Sequence, residues 1–426
     1  MTVECNGADS VVNRSSLTKE IIMSNALQKA LSPAKLGKTL ELRNRLIKAG
    51  TYEGKNKDGK PTELLRDFHV EIGEGGIGMT TIAYCATEAD GRVNDQMLWM
   101  HEGIRSDLSR IISDIHNTGA KVSGQMAHCG NFSKNTKLQR LKRPMGPSKQ
   151  FNMLGAPSGM PFAGEMSHSD IDYMVKTFHD AAVFMKDIGF DCIELHLAHG
   201  YGLSQFISPK TNKRTDEYGG SLINRMRLPL RVLETIREAV GDDFPIIGKM
   251  GLMDGLREGL QLEEAIEIAA MYDRAGIDGL ITSGGTSSFN VMKMFRGPSI
   301  HHGMIEQEKN LIMKAGLKVL GPKMFKNYPY QELYFKDEVQ QVRDRVNCQL
   351  VYIGGCSTME SLETVLNIGV DFVQLGRPLL ADPAYAKHAT EALAAGKKYN
   401  SGCTHCNRCV SLIDAPGGIR CPELHG

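Results

Sequence analysis

The sequence predicts a (β/α)8 barrel, and three observations carry that expectation. Eight short apolar runs recur along the chain, and helical patterns lie between most of them. The loop after the first run, NRLIKAGTYEG, also lacks the glycine-rich turn that a doubly wound sheet would want. In order, the runs are NRLIKAG (44–50), GMTTIAY (78–84), KVSGQM (121–126), DCIELHL (191–197), PIIGKM (245–250), GLITSG (279–284), LVYIGG (350–355) and FVQLG (372–376). Several are apolar at nearly every position, as strands buried on both faces must be. Helical periodicity marks 104–119, 169–189, 262–276 and 358–369. Two connections are long, from about 127 to 168 and from about 285 to 333. In a barrel, long loops on the C-terminal side of the strands build the active site.

Composition narrows the function classes. The chain has 426 residues, 41% hydrophobic and 23% charged, enough for a large core. A formal net charge of +1 lacks the basic excess of a nucleic-acid binder. No run reaches the ~18 apolar residues of a membrane span. The first residues, MTVECNGADSVVNRSS, have no basic start followed by an apolar stretch, so a cytoplasmic protein without a secretory signal is expected. Met23 begins a second plausible start. The expected organisation is a loose extension over 1–25, a barrel over 26–395 and a cysteine-rich tail over 396–426.

The last two strands end in Gly354-Gly355 and Gly376-Arg377. Glycines admit close backbone approach, and free N–H groups at helix starts favour anions. Barrels often hold a phosphate in the loops after strands 7 and 8, and Arg377 adds a fixed charge. Gln125, at the end of the third run, has an amide that can donate and accept along the edge of a heterocycle such as a flavin pyrimidine; taken alone it reads more readily as a capping or loop glutamine. Lys249 stands in the apolar run IIGKM. It would place a cation beside the electron-rich end of a reduced flavin, or snorkel outward, or pair with a carboxylate.

The stretch CIELHLAHGYGLSQF (192–206) leaves a buried strand and presents His196, His199 and Tyr201. Metal binding needs a further ligand, and none stands nearby in sequence. Two imidazoles and a phenol also suit an oxygen that gains negative charge, with a proton donor beside it. Satisfied loop histidines are the third reading.

Residues 189–227 read GFDCIELHLAHGYGLSQFISPKTNKRTDEYGGSLINRMR. This stretch resembles the Old Yellow Enzyme family of FMN-dependent oxidoreductases. LxNRLIKAG, EGGIGMTTIAYC, GQMAHCG, MGPS, GG and LGRPLLADP agree in order, so the likeness spans about 31 to 390. The resemblance implies a barrel holding non-covalent FMN, with NAD(P)H as electron donor. Ala49, Gly50, Thr51, Tyr84, Gln125, Lys249, Gly354, Gly355, Gly376 and Arg377 would contact the cofactor. Gln125 would meet the pyrimidine, and Lys249 stands where the family usually has arginine. His196 and His199 would hold a substrate carbonyl, and Tyr201 would donate the proton to a reduced alkene. The small-molecule substrate would be an α,β-unsaturated carbonyl compound.

Ten cysteines are present, and Cys403, Cys406, Cys409 and Cys421 crowd the end as C-x2-C-x2-C-x11-C. Four thiolates at this spacing suit a [4Fe–4S] cluster or an all-cysteine zinc site. The spacing resembles that of trimethylamine dehydrogenase and dienoyl-CoA reductase, which carry further nucleotide-binding domains after the barrel. Since the chain ends at Gly426, a redox-active cluster would need an external electron carrier. Ala83-Tyr84-Cys85 resembles the amine-dehydrogenase branch, and Tyr52 stands where some relatives have a flavin-linking cysteine. An amine dehydrogenase or demethylase is therefore the alternative to an alkene reductase. A homo-oligomer is compatible with either, and no nucleic acid or membrane partner is expected.

Overall fold

A computed structural model describes residues 25–309 and 311–425. The expected N-terminal extension and the second start at Met23 lie, but for residue 25, outside the described residues. The eight runs form one closed, all-parallel barrel: β1 Leu46–Lys48, β2 Met79–Ala86, β3 Lys121–Ala127, β4 Cys192–Leu197, β5 Ile246–Gly251, β6 Gly279–Ser283, β7 Gln349–Tyr352 and β8 Phe372–Leu375. Each strand is followed by an outer helix: α1 Glu63–Glu74, α2 Arg105–His116, α3 His168–Asp187, α4 Leu222–Val240, α5 Leu262–Arg274, α6 Lys336–Arg343, α7 Met359–Asn367 and α8 Tyr385–Ala394. Chain order sets strand order, and β4 pairs with β5 while β8 closes on β1. The helices bury an apolar stripe against the strands and begin at local signals. Ser167 and Asp170 form a reciprocal capping box at the start of α3, which satisfies amides the helix cannot.

Period two along each strand sorts the barrel interior into layers. The lowest is apolar: Ile47, Met79, Ile247, Ile281, Val351 and Phe372 pack with Cys192. A hairpin, Ala34–Leu36 with Leu40–Leu42, plugs this end with Leu36 and Leu42. Burying each such side chain is worth roughly 1.5–3 kcal/mol. Two residues further along β3, β4, β5 and β8, the inward positions turn polar: Gln125, Glu194, Lys249 and Gln374 are all buried. The stable end is thus apolar and sealed, and the opposite end carries chemistry.

Both long connections have structure of their own. The first folds into a three-stranded sheet, Met145–Gly146, Gln150–Phe151 and Phe162–Glu165. The second carries helices His301–Gln307 and Leu311–Met324. The tail is tied across the barrel mouth. Ile419 N–H donates to the Glu53 carbonyl at 2.8 Å. The Asn407 amide donates to the carbonyls of Phe295 and Pro298, and its oxygen accepts from Arg377 at 2.6 Å. No helix among the described residues is long and apolar enough to cross a membrane.

Candidate active site

A cavity of about 1070 Å³ opens at the C-terminal ends of the strands. Ala49, Gly50, Thr51, Tyr84, Lys249, Gly354, Gly355, Gly376 and Arg377 line it, so nine of the ten expected cofactor contacts converge on one space. The tenth, Gln125, lies one layer beneath, with its amide directly under Gly50; a Cβ on Gly50 would stand 2.6 Å from that nitrogen. Only glycine leaves the floor flat there.

Glu194 organises this polar floor. Its Oε1 accepts from the Gln125 amide and pairs with Lys249 Nζ at 2.8 Å, and its Oε2 accepts from the Gln374 amide at 2.6 Å. Lys249 therefore does not snorkel: it is buried, paired, and still presents Nζ within 3.4 Å of the Gly50 carbonyl at the cavity. The amide oxygens of Gln125 and Gln374 are buried without a partner among the described residues. An orphaned buried acceptor carries a cost of about 1–3 kcal/mol, which a ligand donor can remove. A flavin pyrimidine has a ring N–H flanked by two carbonyls, so the unpartnered amide oxygens and the lysine cation fit it. Glu194 and Gln374 were missed in the sequence, although both sit on the inward face by period two.

A second buried group supports the first turn after β1. Lys48 pairs with Glu53, and His69 of α1 lies 3.6 Å from the same carboxylate. Burial holds the His69 imidazole below its usual range. These groups lie beneath the segment carrying Gly50, Thr51 and Tyr52.

At the opposite wall, Gly354 and Gly355 take φ of +131° and +72°, where side chains are strained. A Cβ on Gly355 would come 2.7 Å from the Gln331 carbonyl. Gly376 is open, with nothing nearer its Cβ position than 4.0 Å. Arg377 is fixed by the Arg296 carbonyl at 3.0 Å and by Asn407. A glycine cradle with a positioned guanidinium fits a phosphate. The aromatic cover over it was not foreseen: Tyr330, Tyr334 and His405 line the cavity, and His405 stacks on Tyr330 at 3.5 Å.

The three expected catalytic groups come together at the mouth of β4. His196 and Tyr201 have ring centres 4.3 Å apart, and His196 and His199 lie 5.2 Å apart. Only His199 lines the cavity directly. Tyr84 stacks on His196 at 5.5 Å and leans on Tyr201 at 4.9 Å, and Tyr52 stacks on Tyr84 at 6.0 Å. Burial, with His199 and Lys249 nearby, keeps His196 well below the usual imidazole range. Burial and Lys249 take His199 to about 3. Both imidazoles are thus neutral at neutral pH and able to donate one N–H each. His199 Nε2 is within 2.8 Å of Ser283 Oγ. His196 is buried, and neither ring nitrogen has a partner among the described residues. Burial pushes the Tyr201 hydroxyl well above its usual range, and the neighbouring Tyr84 adds to the rise, so the phenol stays protonated.

The tail cysteines adjoin this space. Cys409 is buried and lines the cavity, and Cys403, Cys406 and Cys421 are half-buried around it. Cys409 interacts electrostatically with all three others. Four sulfurs around one zinc, at about 2.3 Å each, would sit under about 4 Å apart. Among the described residues, the one group with all ligand atoms within 4.8 Å of one another is His168, Asp216 and Glu217, on the surface. Among the described residues, no three of the four tail sulfurs lie within 4.8 Å of one another.

The model of the NADH:flavin oxidoreductase / NADH oxidase family matches residues 29–319. A 4,4'-dithiodibutanoate disulfide reductase of Rhodococcus erythropolis is 36% identical over 391 residues, 91% of this chain and 93% of that protein. An NADH oxidase of Thermoanaerobacter brockii is 31% identical over 360 residues, 83% of this chain and 49% of that one, so the chain spans about half its length. The solved 2-naphthoyl-CoA reductase complex superposes with a TM-score of 0.74 at 22% identity, over 91% of this chain and 56% of that chain. That likeness shows the shared barrel fold.

Proposed function

The chain belongs to the NADH:flavin oxidoreductase / NADH oxidase family and is an oxidoreductase; from that premise, we propose that it uses FMN and NAD(P)H to reduce the activated C=C bond of a small α,β-unsaturated carbonyl compound. The observation that carries the reading is His196, buried with both ring nitrogens unpartnered among the described residues, beside the protonated phenol of Tyr201. The residues that would hold FMN are Gln125, Lys249 and Gln374 at the pyrimidine, Ala49, Gly50 and Thr51 along one edge, and Gly354, Gly355, Gly376 and Arg377 at the phosphate. Bound there, FMN supplies hydride chemistry between nicotinamide and acceptor.

The protein's own part is to bind, polarise and protonate. His196 and His199 donate N–H bonds to the acceptor carbonyl oxygen and stabilise the charge that builds there. Being neutral, they do so without surrendering a proton to bulk water at neutral pH. Tyr201 delivers the proton to the carbon α to the carbonyl. Tyr84 and Tyr52 cover the site and keep water from the reacting atoms. We assign the barrel to residues 26–395 and a [4Fe–4S] site to Cys403, Cys406, Cys409 and Cys421 in the tail over 396–426. Such a cluster would supply one-electron transfer to an external carrier.

Anaerobic titration tests this reading. Loss of the flavin band on adding NADPH or NADH, and its return on adding an enone, supports it. The stack of Tyr52, Tyr84 and Tyr201 favours a second reading, since ring faces attract alkylammonium ions. Bleaching by trimethylamine without a nicotinamide would select that amine dehydrogenase. The Rhodococcus relative is named for a disulfide acceptor, so 4,4'-dithiodibutanoate belongs in the titration as an alternative oxidant.

A further inference from the structure

A second hollow, of about 830 Å³, lies outside the site just described. Three lysines, Lys149, Lys210 and Lys213, and three phenylalanines, Phe132, Phe151 and Phe289, face it, and among the described residues no carboxylate lines it. Phe151 is 56% exposed and Phe289 is 37% exposed, which is unusual for two large apolar rings facing one hollow. Lys149 and Lys213 are exposed; Lys213 Nζ donates to the Pro209 carbonyl at 2.7 Å, and Lys210 reaches Glu258 at 2.9 Å. The segment that builds the near wall is strongly biased. Residues 131–164 contain six Lys and Arg and no Asp or Glu. Lys134, Lys137 and Arg140 are paired with acids on other segments, which leaves the charge near Lys149 to the solvent and to ligands.

The hollow adjoins the reacting groups. Phe132 forms one of its walls and packs edge-on against Tyr201 at 4.8 Å. Phe289 belongs to the turn whose Ser287 N–H donates to the His199 carbonyl at 2.9 Å. Phe132 and the 287–289 turn thus touch both the hollow and the His199–Tyr201 segment.

We propose that this hollow binds a phosphorylated adenine nucleotide, as the distal part of a reactant whose working end enters the barrel mouth. The proposal rests on the reductase reading for its connection to turnover. Phe151 and Phe289 offer stacking faces for a purine, and Lys149 and Lys213, neither ion-paired among the described residues, offer point charges for phosphates; this pairing of ring and cation fits a nucleotide. Two reactants carry such a group: the 2'-phosphoadenylate of NADPH and the 3'-phosphoadenylate of a coenzyme A thioester.

The test uses the full-length holoprotein and calorimetric titration with 2',5'-ADP and with 3',5'-ADP. One of them is expected to bind, and Lys149→Ala, Lys213→Ala and Phe151→Ala should each weaken it roughly three- to tenfold, with the lysine effect shrinking in high salt. If 2',5'-ADP binds, KM for NADPH should rise in the variants by a similar factor, while turnover driven by reduced nicotinamide mononucleotide stays unchanged. If 3',5'-ADP binds, KM for an enoyl-CoA should rise, while a short enone is reduced as before. Binding is read without turnover, so loss of the reductase reading leaves this result intact. Failure of both nucleotides to bind, or binding indifferent to all three substitutions, overturns the proposal.

Discussion

Replacing Tyr201 by phenylalanine removes one oxygen and leaves the ring. That ring makes the packing contacts: Phe132 at 4.8 Å, Tyr84 at 4.9 Å and His196 at 4.3 Å. Losing the buried hydroxyl costs stability of about 1 kcal/mol, small against a typical folding free energy of about 5–15 kcal/mol. The variant should therefore fold and keep FMN. A positioned general acid contributes about 10²–10⁴ in rate, equivalent to roughly 2.7–5.5 kcal/mol of barrel-mouth catalysis. The deficit should fall on one half of the cycle. Nicotinamide delivers hydride without needing the phenol, so flavin bleaching by NAD(P)H should stay within about threefold of wild type. Reoxidation by an enone should slow by about a hundredfold or more. Anaerobic stopped-flow measurement of the two half-reactions separates these outcomes. Equal loss in both halves, or none in reoxidation, would refute the assignment of Tyr201 as proton donor.

Lys249→Met should strip the Glu194 carboxylate of its only cationic partner within 4 Å among the described residues, cost about 3–5 kcal/mol in thermal or denaturant unfolding, and weaken FMN retention in equilibrium dialysis; Lys249→Arg should recover most of both. Cys409→Ser should lower the iron content of reconstituted protein and its broad visible absorbance while leaving the flavin band in place, and unchanged iron would remove Cys409 from the ligand set. Acid should unfold the protein early. His69, His196 and His199 are buried with folded pKa values held below the unfolded value of about 6.5, so the stability they contribute is present above that pH and is lost as pH falls through it. Between pH 7.5 and 5.5 the three together should lose on the order of 4 kcal/mol, readable from urea midpoints. Replacing His69 by asparagine should remove about a third of that pH dependence.

Much of this was legible because the strands read as short, nearly continuous apolar runs and the helices between them keep a 3.6-residue period. The eight apolar runs map onto the eight barrel strands within a few residues. The glycines of 354–355 and 376 identified their wall because backbone freedom at strand ends has few other uses. Glu194 was equally readable in principle: it sits two residues before His196, on the same inward face. It was overlooked because a carboxylate in a strand says nothing of its partner until Lys249, from the next strand, is brought within 2.8 Å. The stacking of Tyr52 on Tyr84, and of His405 on Tyr330, joins segments separated by long stretches of chain, and no local period records such a meeting. The same holds for the tail. Its cysteines announced a cluster motif, but only tertiary contacts through Asn407 and Ile419 bring Cys409 to the cofactor cavity.

The most direct test of the central claim is an anaerobic absorbance titration of the FMN-loaded protein with NADPH and NADH, followed by a small enone. Bleaching of the flavin by a nicotinamide and stoichiometric recovery with the enone, accompanied by formation of the saturated ketone, is the predicted result. A nicotinamide-reduced flavin that no enone reoxidises would contradict it.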